Sequence, residues 1–227
     1  MAHLAHYKET HPLPFVITHY VNLACFVLLI ISGFIIHFPG VPLLSMGVCR
    51  GVHIFCGFVL LINLVVRIIL AFVLKSAPAN GTRQTTTDVK NFLPSKDNKH
   101  TMVEWLKFYL FIKKDHPLGG KFNPLQRIAY FLVPFLVLFM GLTGLALWTP
   151  TAPAFAWFIN AVGGAMSVRI IHYIMMFVFI VFIIIHVYMA VSEGGKPMVA
   201  NMFARKEHGG LTYDAETMDI SGEDKSV

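Results

Sequence analysis

Four apolar stretches constrain the fold of this chain more than any other feature of its sequence. They run from Phe15 to His37, from His53 to Leu74, from Ile128 to Trp148 and from Ile170 to Ser192. A helix of about 20 apolar residues crosses the hydrocarbon core of a bilayer, and each stretch reaches that length. Only 13% of the residues are charged, against about 25% in a typical soluble domain. We therefore predict an all-α integral membrane protein built as a four-helix transmembrane bundle.

The spans form one predicted domain, residues 15–192, between an N-terminal segment, 1–14, and a C-terminal tail, 193–227. From Gly209 onward this tail is polar and acidic, and we expect that part to lack order without a partner. The first span is not a signal peptide, since it has no basic n-region and no small-residue cleavage site. Between spans two and three lies a polar strap, 75–124, with an interfacial helix predicted at Met102 to Ile112. The connection 149–168 is too apolar for an ordinary loop, and we expect it to meet the outer membrane surface or a partner.

The basic residues predict the orientation. Of the 18 Lys and Arg residues, only Arg50 and Arg169 lie on the side where span one ends and span two begins. Basic residues mark the cytoplasmic side, so we expect both termini and the strap to lie in the cytoplasm of a bacterium, with the spans in its inner membrane. The net charge of +6 then reflects topology and lipid contact. It offers no aromatic and basic surface for nucleic acid.

Two histidines on span four indicate cofactors inside the membrane. His172 and His186 are fourteen residues apart, in a span without Asp, Glu, Lys or Arg. In a helix, fourteen positions return to within about 40° of the same face, roughly 21 Å further along the axis. Polar rings inside a bilayer are costly, which favours a function for them. The spacing predicts one metal cofactor near each membrane edge.

The depths of the histidines in the spans predict their pairing. His53 starts span two at the depth of His172, and His19 lies near the inner end of span one at the depth of His186. Two facing neutral imidazoles are the usual axial ligands of a b-type haem in a helical bundle. We therefore predict two stacked haem b groups with these four histidines as metal ligands. His37, at the outer end of span one, is an alternative ligand.

Small residues predict room for the macrocycles. Gly33 is fourteen residues after His19 and would face the outer haem, and Gly141 and Gly144 on span three offer the same space. Ordinary helix packing is the alternative explanation for all three glycines.

Three arginines are candidates for contacts with haem propionates. Arg67 is fourteen residues after His53, and so lies at the depth of the inner haem, while Arg50 and Arg169 stand three residues before His53 and His172. The alternatives are that Arg67 extends to the lipid headgroups and that Arg50 and Arg169 anchor the ends of their helices.

Several chemistries are excluded or disfavoured. Three cysteines form no CxxC or CxxCH motif and are too few for an iron–sulfur cluster. No nucleophile and base pattern, Walker loop or dinucleotide fingerprint occurs. A histidine-lined transition-metal transporter stays open as an alternative, although spans one, two and four carry no Asp or Glu for a metal path.

The spans also resemble a known family. The segments that carry the likeness are THYVNLACFVLLIISGF, RGVHIFCGFVLLINLVVRI, FNPLQRIAYFLVPFLVLFMGLTGLAL and RIIHYIMMFVFIVFIIIHVYMAV. They resemble the integral-membrane b-type cytochrome subunit of respiratory nickel–iron hydrogenases. That family is related to the gamma subunit of membrane formate dehydrogenases and to thiosulfate-reductase cytochromes b. The likeness extends from about Thr18 to Val191.

The resemblance implies an electron-transfer role. A dihaem subunit of this kind passes electrons between the iron–sulfur and catalytic subunits of a periplasmic oxidoreductase and the quinone or menaquinone pool. It implies a quinone site near His19 and the start of span three, where Asn123, Gln126 and Arg127 are polar candidates that otherwise cap and anchor the helix. The implied partner is a nickel–iron hydrogenase, and the alternatives are a formate dehydrogenase and a thiosulfate or polysulfide reductase. A third alternative is a membrane anchor in which the haems are only structural.

The sequence departs from the family pattern at three places. Tyr20 follows the first ligand, where the family often has Trp, and Phe122 stands before Asn123-Pro124, where it often has His. Tyr173 follows the third ligand, where Arg is common. None of these changes removes a ligand.

Overall fold

The computed structural model describes residues 4–7, 12–40, 44–76, 86–92, 102–114, 123–204, 210–214 and 220–224. Within them the chain forms six α-helices and five short strands. The helices are α1 (Leu13–His37), α2 (Met46–Val73), α3 (Met102–Tyr109), α4 (Pro124–Leu147), α5 (Ala156–Ala161) and α6 (Ala165–Ala204). The strands are β1 (Leu4–Tyr7), β2 (Lys75–Ser76), β3 (Thr86–Thr87), β4 (Gly210–Asp214) and β5 (Ile220–Asp224). Short 3-10 turns occupy Asp88–Phe92 and Ala152–Phe155.

Four of these helices are long and apolar enough to cross a membrane. They are α1, α2, α4 and the part of α6 from Ala165 to Ser192, among the residues that the structure describes. The predicted all-helical membrane fold is confirmed. Helix α6 continues past Ser192 to Ala204, beyond the predicted end of the span.

The helix starts follow from local chemistry. Ser45 precedes α2, and its hydroxyl accepts a hydrogen bond from the backbone N–H of Val48. Gly163 and Gly164 precede α6 with φ of 90° and 107°, a conformation that L-residues rarely adopt. Ser45 thus caps the start of α2, and the two glycines form the turn between α5 and α6.

One compact unit, residues Ile17–Val66 and Val133–Ile185, contains the packed part of all four spanning helices. Its core is a cluster of buried apolar residues, Cys25 of α1, Cys56 and Leu60 of α2, Val137 of α4 and Phe179 of α6. We call this unit the bundle unit. Since every spanning helix contributes to one core, the four helices form a bundle here.

Two further contacts bring helices of the bundle unit together. Asn63 of α2 donates from its side-chain amide to the backbone carbonyl of Thr18 at 2.7 Å and to Asn22 Oδ1 at 2.6 Å. A Cβ placed on Gly141 of α4 would lie 2.8 Å from Leu61 Cδ2, so the absence of a side chain there allows α2 and α4 to approach closely.

The second unit groups the described residues of 1–16, 67–132 and 186–227. It contains α3, a short antiparallel pair of β2 with β3, and an antiparallel sheet in the order β1-β4-β5. The sheet corrects the expectation of a disordered tail. Strand β4 pairs with β1 from the other end of the chain, and local composition contains no sign of such a distant partner.

Candidate histidine site

His53 of α2 and His172 of α6 lie together in the bundle unit. Their ring centres are 6.1 Å apart and their planes are inclined by 63°. A metal ion bound between the two rings would need a similar separation. Each metal–nitrogen bond is about 2 Å long, and each ring nitrogen lies about 1 Å from its ring centre. The pair that the sequence predicted at the outer edge is therefore close enough to share one metal ion.

A hydroxyl on a neighbouring helix contacts each of these rings. Ser32 Oγ of α1 lies 2.9 Å from Nδ1 of His53, and Thr143 Oγ1 of α4 lies 2.8 Å from Nδ1 of His172. Both hydroxyl residues are buried. Neither hydroxyl was predicted from the sequence, although each stands directly before a glycine, in Ser32-Gly33 and in Thr143-Gly144.

The glycine of each pair contacts the same ring as its hydroxyl neighbour. A Cβ on Gly33 would lie 3.4 Å from Cε1 of His53, and a Cβ on Gly144 would lie 3.5 Å from Cε1 of His172. Each of these glycines therefore lies beside one imidazole of the pair, where a side chain would meet the ring. Gly141, by contrast, faces Leu61 and serves helix packing.

The donor set of this site fits a haem. Within the described residues, no group of three or more His, Cys, Asp or Glu side chains converges. Two imidazoles supply only two ligands, so a metal ion held here would take its remaining ligands from a bound macrocycle. The ring separation and the donor set both fit this group.

Arg50 and Arg169 are exposed near the starts of α2 and α6. Each stands three residues before one histidine of the site, which is nearly one helical turn. The arrangement is compatible with contact to propionates and with the anchoring of a helix end.

Arg67 makes an ion pair that sequence analysis did not consider. Its Nη2 lies 2.9 Å from Oδ2 of Asp88, a fully buried carboxylate, while the Ser76 hydroxyl donates to Oδ1 at 2.7 Å. The guanidinium also stands 4.1 Å from the ring centre of Phe15. Arg67 therefore holds the strap against the end of α2 within the second unit.

Asn123 and Gln126 form the N-terminal cap of α4. The Gln126 N–H donates to Asn123 Oδ1 at 2.7 Å, and the Asn123 N–H donates to Gln126 Oε1 at 3.0 Å. The side-chain amide of Asn123 also donates to the Tyr109 hydroxyl at 2.8 Å. The capping role considered in the sequence analysis is thus present in the structure, and Arg127 follows in the first turn, half-buried.

His37, the alternative ligand, packs against Tyr173. Its ring is stacked on Tyr173 with centres 3.8 Å apart and planes inclined by 6°. Tyr173 is the residue that replaces the family's common Arg after the third ligand.

The other predicted pair falls in two different units. His19 belongs to the bundle unit, is half-buried and meets Tyr20 edge-on, whereas His186 belongs to the second unit and is exposed. The pairing of these two histidines stays a prediction from the sequence.

These features define the class: a helical integral-membrane protein that brings two imidazoles from different spans to a ring separation of 6.1 Å. The chain belongs to the prokaryotic cytochrome b561 family, whose model matches residues 10–204. A b-type cytochrome holds haem b and transfers electrons, so the family adds a cofactor and an activity to the fold.

Curated relatives agree in length and in name. A probable Ni/Fe-hydrogenase B-type cytochrome subunit of Cupriavidus necator is 28% identical over 81% of this chain and 80% of its own length. A protein of the same name from Azotobacter vinelandii is 30% identical over 79% of this chain and 78% of its own. The probable Ni/Fe-hydrogenase 1 B-type cytochrome subunit of Escherichia coli K12 is 26% identical over 84% of each chain.

Proposed function

We propose that this protein is a dihaem cytochrome b that carries electrons across the bacterial inner membrane, between a periplasmic oxidoreductase and the quinone pool. The observation that carries the proposal is the His53 and His172 pair, with ring centres 6.1 Å apart and each Nδ1 on a hydroxyl. Haem b, when bound, takes up and releases one electron at its iron.

In this proposal the chain's residues hold and orient the cofactor. His53 and His172 would hold the haem through their ring nitrogens, Gly33 and Gly144 would leave room for it beside the rings, and Arg50 and Arg169 would meet its propionates at the outer aqueous layer. The apolar helices around the pair would limit the access of water to it.

A second haem, held by His19 and His186, rests on the sequence. His186 follows His172 by fourteen residues, which is about 21 Å of helix, and this places the two haems near opposite edges of the membrane. Electrons would move along this axis. Both termini and the strap would lie in the cytoplasm, following the distribution of basic residues.

The names of the relatives support a nickel–iron hydrogenase as the periplasmic partner. Quinone would exchange electrons at the inner edge, near the start of α4, where Asn123, Gln126 and Arg127 supply polar groups at headgroup depth. The cap that Asn123 and Gln126 form gives this edge a fixed shape.

The test is optical spectroscopy of the purified protein with pyridine haemochrome quantitation. We expect two haem b per chain, and one in His53→Ala, His172→Ala, His19→Ala and His186→Ala. The double variant His53→Ala/His172→Ala should also keep one, because both residues serve the same haem. In His37→Ala, the matched control, both haems should remain.

A different result would contradict the proposal. Wild-type protein that contains zinc or nickel and no haem would favour the transition-metal transporter. Loss of both haems in His53→Ala/His172→Ala, with the protein still folded, would overturn the assignment of two separate pairs. Quinone reduction that survives changes at Gln126 and Arg127 would move the quinone site elsewhere.

A further inference from the structure

The Ser32 hydroxyl lies within hydrogen-bond distance of three partners. Its Oγ is 2.6 Å from the carbonyl oxygen of Leu28, one turn back in α1, 3.3 Å from that of Leu29, and 2.9 Å from Nδ1 of His53. A hydroxyl carries a single hydrogen, and a separation of 2.6 Å is short for a bond between two oxygens. The hydrogen is therefore directed at Leu28, and the contact with His53 needs the ring as the donor.

Thr143 repeats the arrangement on α4. Its Oγ1 lies 3.0 Å and 3.1 Å from the carbonyl oxygens of Met140 and Phe139, and 2.8 Å from Nδ1 of His172. Threonine in a helix commonly donates to a carbonyl of the preceding turn. Here too the hydroxyl hydrogen is committed to the backbone, and the lone pair of the oxygen is left to accept from the ring.

We propose that Ser32 and Thr143 are positioning residues that fix both imidazoles in the tautomer with hydrogen on Nδ1. The inference rests on the proposed function, in that His53 and His172 hold one haem. In this tautomer Nε2 of each ring carries the free lone pair that binds iron. The two hydroxyls thus select the nitrogen through which each histidine acts.

The same two hydrogen bonds should affect the midpoint potential of the haem iron. A ring that donates from Nδ1 to an acceptor becomes a more basic ligand. A more basic ligand stabilises oxidised iron relative to reduced iron, and so it lowers the midpoint potential. Removal of either hydroxyl should therefore raise the potential of the haem between His53 and His172 and leave that of the other haem unchanged.

The experiment is a redox titration of the full-length protein with optical detection, together with haem quantitation. The variants are Ser32→Ala and Thr143→Val, which remove the hydroxyl and keep much of the shape. We expect each to retain two haems and to weaken the preference for oxidised iron about tenfold, a rise of about 59 mV for a one-electron couple. The double variant should move the same haem further.

Three variants serve as controls. Ser32→Thr and Thr143→Ser keep the hydroxyl and should keep the wild-type potential. Ser192→Ala removes a hydroxyl that makes the same back-bond, to the carbonyl oxygen of Tyr188 at 2.8 Å. That change should move neither potential, since the pair of hydroxyls that contact His53 and His172 is intact.

The outcomes are distinct. Full haem content with unmoved potentials in Ser32→Ala and Thr143→Val would overturn the inference, and so would a fall in potential, which would make the hydroxyls donors to the rings. Haem loss in these two variants would support the inference if Ser32→Thr and Thr143→Ser keep their haems. Haem loss in Ser32→Thr and Thr143→Ser as well would overturn it, because haem binding would then depend on side-chain shape and not on the hydroxyl.

Failure of the proposed function has a different signature. If His53→Ala and His172→Ala keep every haem, these histidines do not hold the cofactor and the proposed function fails at this pair. If they lose one haem while the hydroxyl variants leave all potentials unchanged, only the positioning role fails.

Discussion

At the scale of single residues, a buried charge in the strap is as informative as the histidines. Asp88 has no solvent exposure, accepts hydrogen bonds from Arg67 and Ser76, and its backbone N–H donates to the carbonyl oxygen of Leu74 at 2.9 Å. A carboxylate is tolerated in such a place only when it is paired. Its partners fix the direction in which the chain leaves α2.

We predict that Asp88→Asn destabilises the protein by about 3 kcal/mol, because a partly buried Arg67 loses its counter-charge. The measurement is thermal unfolding in detergent, followed by circular dichroism. The matched control is Glu104→Gln, which removes the ion pairs of an exposed carboxylate with Lys107 and Lys113 at 2.9 Å and 3.1 Å. Exposed pairs contribute little. Equal losses in both variants would contradict the prediction.

Some single residues were predictable from sequence and others were not. His53 and His172 stood out because polar rings are rare and costly in an apolar span, and helical spacing gave their depths. Ser32 and Thr143 did not, because a hydroxyl in a span satisfies itself on its own helix and gives no sign of a second partner. Arg67 was noticed, but Asp88 was not, since their contact depends on how a polar segment folds back.

At the scale of elements, the contact between α2 and α4 depends on a missing side chain. The spans themselves were predictable, because about 20 apolar residues define a membrane helix whatever their order. The cap at the start of α4 was among the roles expected for Asn123 and Gln126, because both residues lie at the helix start itself. The strand pairing of β1 with β4 was not predictable, because it depends on a partner from the other end of the chain. For Gly141 the sequence left two explanations, room for a macrocycle and ordinary helix packing, and the structure shows the packing contact with Leu61.

Gly141→Ala should be destabilising, because its Cβ would lie 2.8 Å from Leu61 Cδ2 and force that side chain to move. Overpacking costs typically about 1–3 kcal/mol. The control is Gly57→Ala in α2, where a Cβ meets no atom of the described chain within 4 Å. That substitution should be neutral or stabilise the helix by up to about 1 kcal/mol.

A double variant separates packing from helix propensity. In Gly141→Ala/Leu61→Ala the smaller side chain leaves room for the new Cβ, so the loss in thermal stability should be less than the sum of the two single losses. Additive losses would show that Leu61 is not the neighbour that matters.

At the scale of the whole molecule, the basic residues and the four spans predict which surfaces face each aqueous compartment. The native cysteines Cys25, Cys49 and Cys56 are buried, so an introduced cysteine can report accessibility over a low background. Met166, in the first turn of α6, and Lys107, on α3, are both exposed and suit this purpose.

In intact cells, Met166→Cys should react with a membrane-impermeant maleimide, whereas Lys107→Cys should react only after the membrane is permeabilised. The reason is the excess of Lys and Arg on the side that carries α3. Wild-type protein provides the unlabelled control. Labelling of Lys107→Cys alone in intact cells would reverse the proposed orientation.

The pairing of each ring with its hydroxyl has a consequence for biogenesis. Ser32 and His53 come from the consecutive helices α1 and α2, and Thr143 and His172 from α4 and α6, later in the chain. Each ligand can thus be oriented within its own hairpin as that hairpin enters the membrane. On the proposed function, the two rings face each other only after the second hairpin has been synthesised and docked, which makes cofactor capture a late step of assembly.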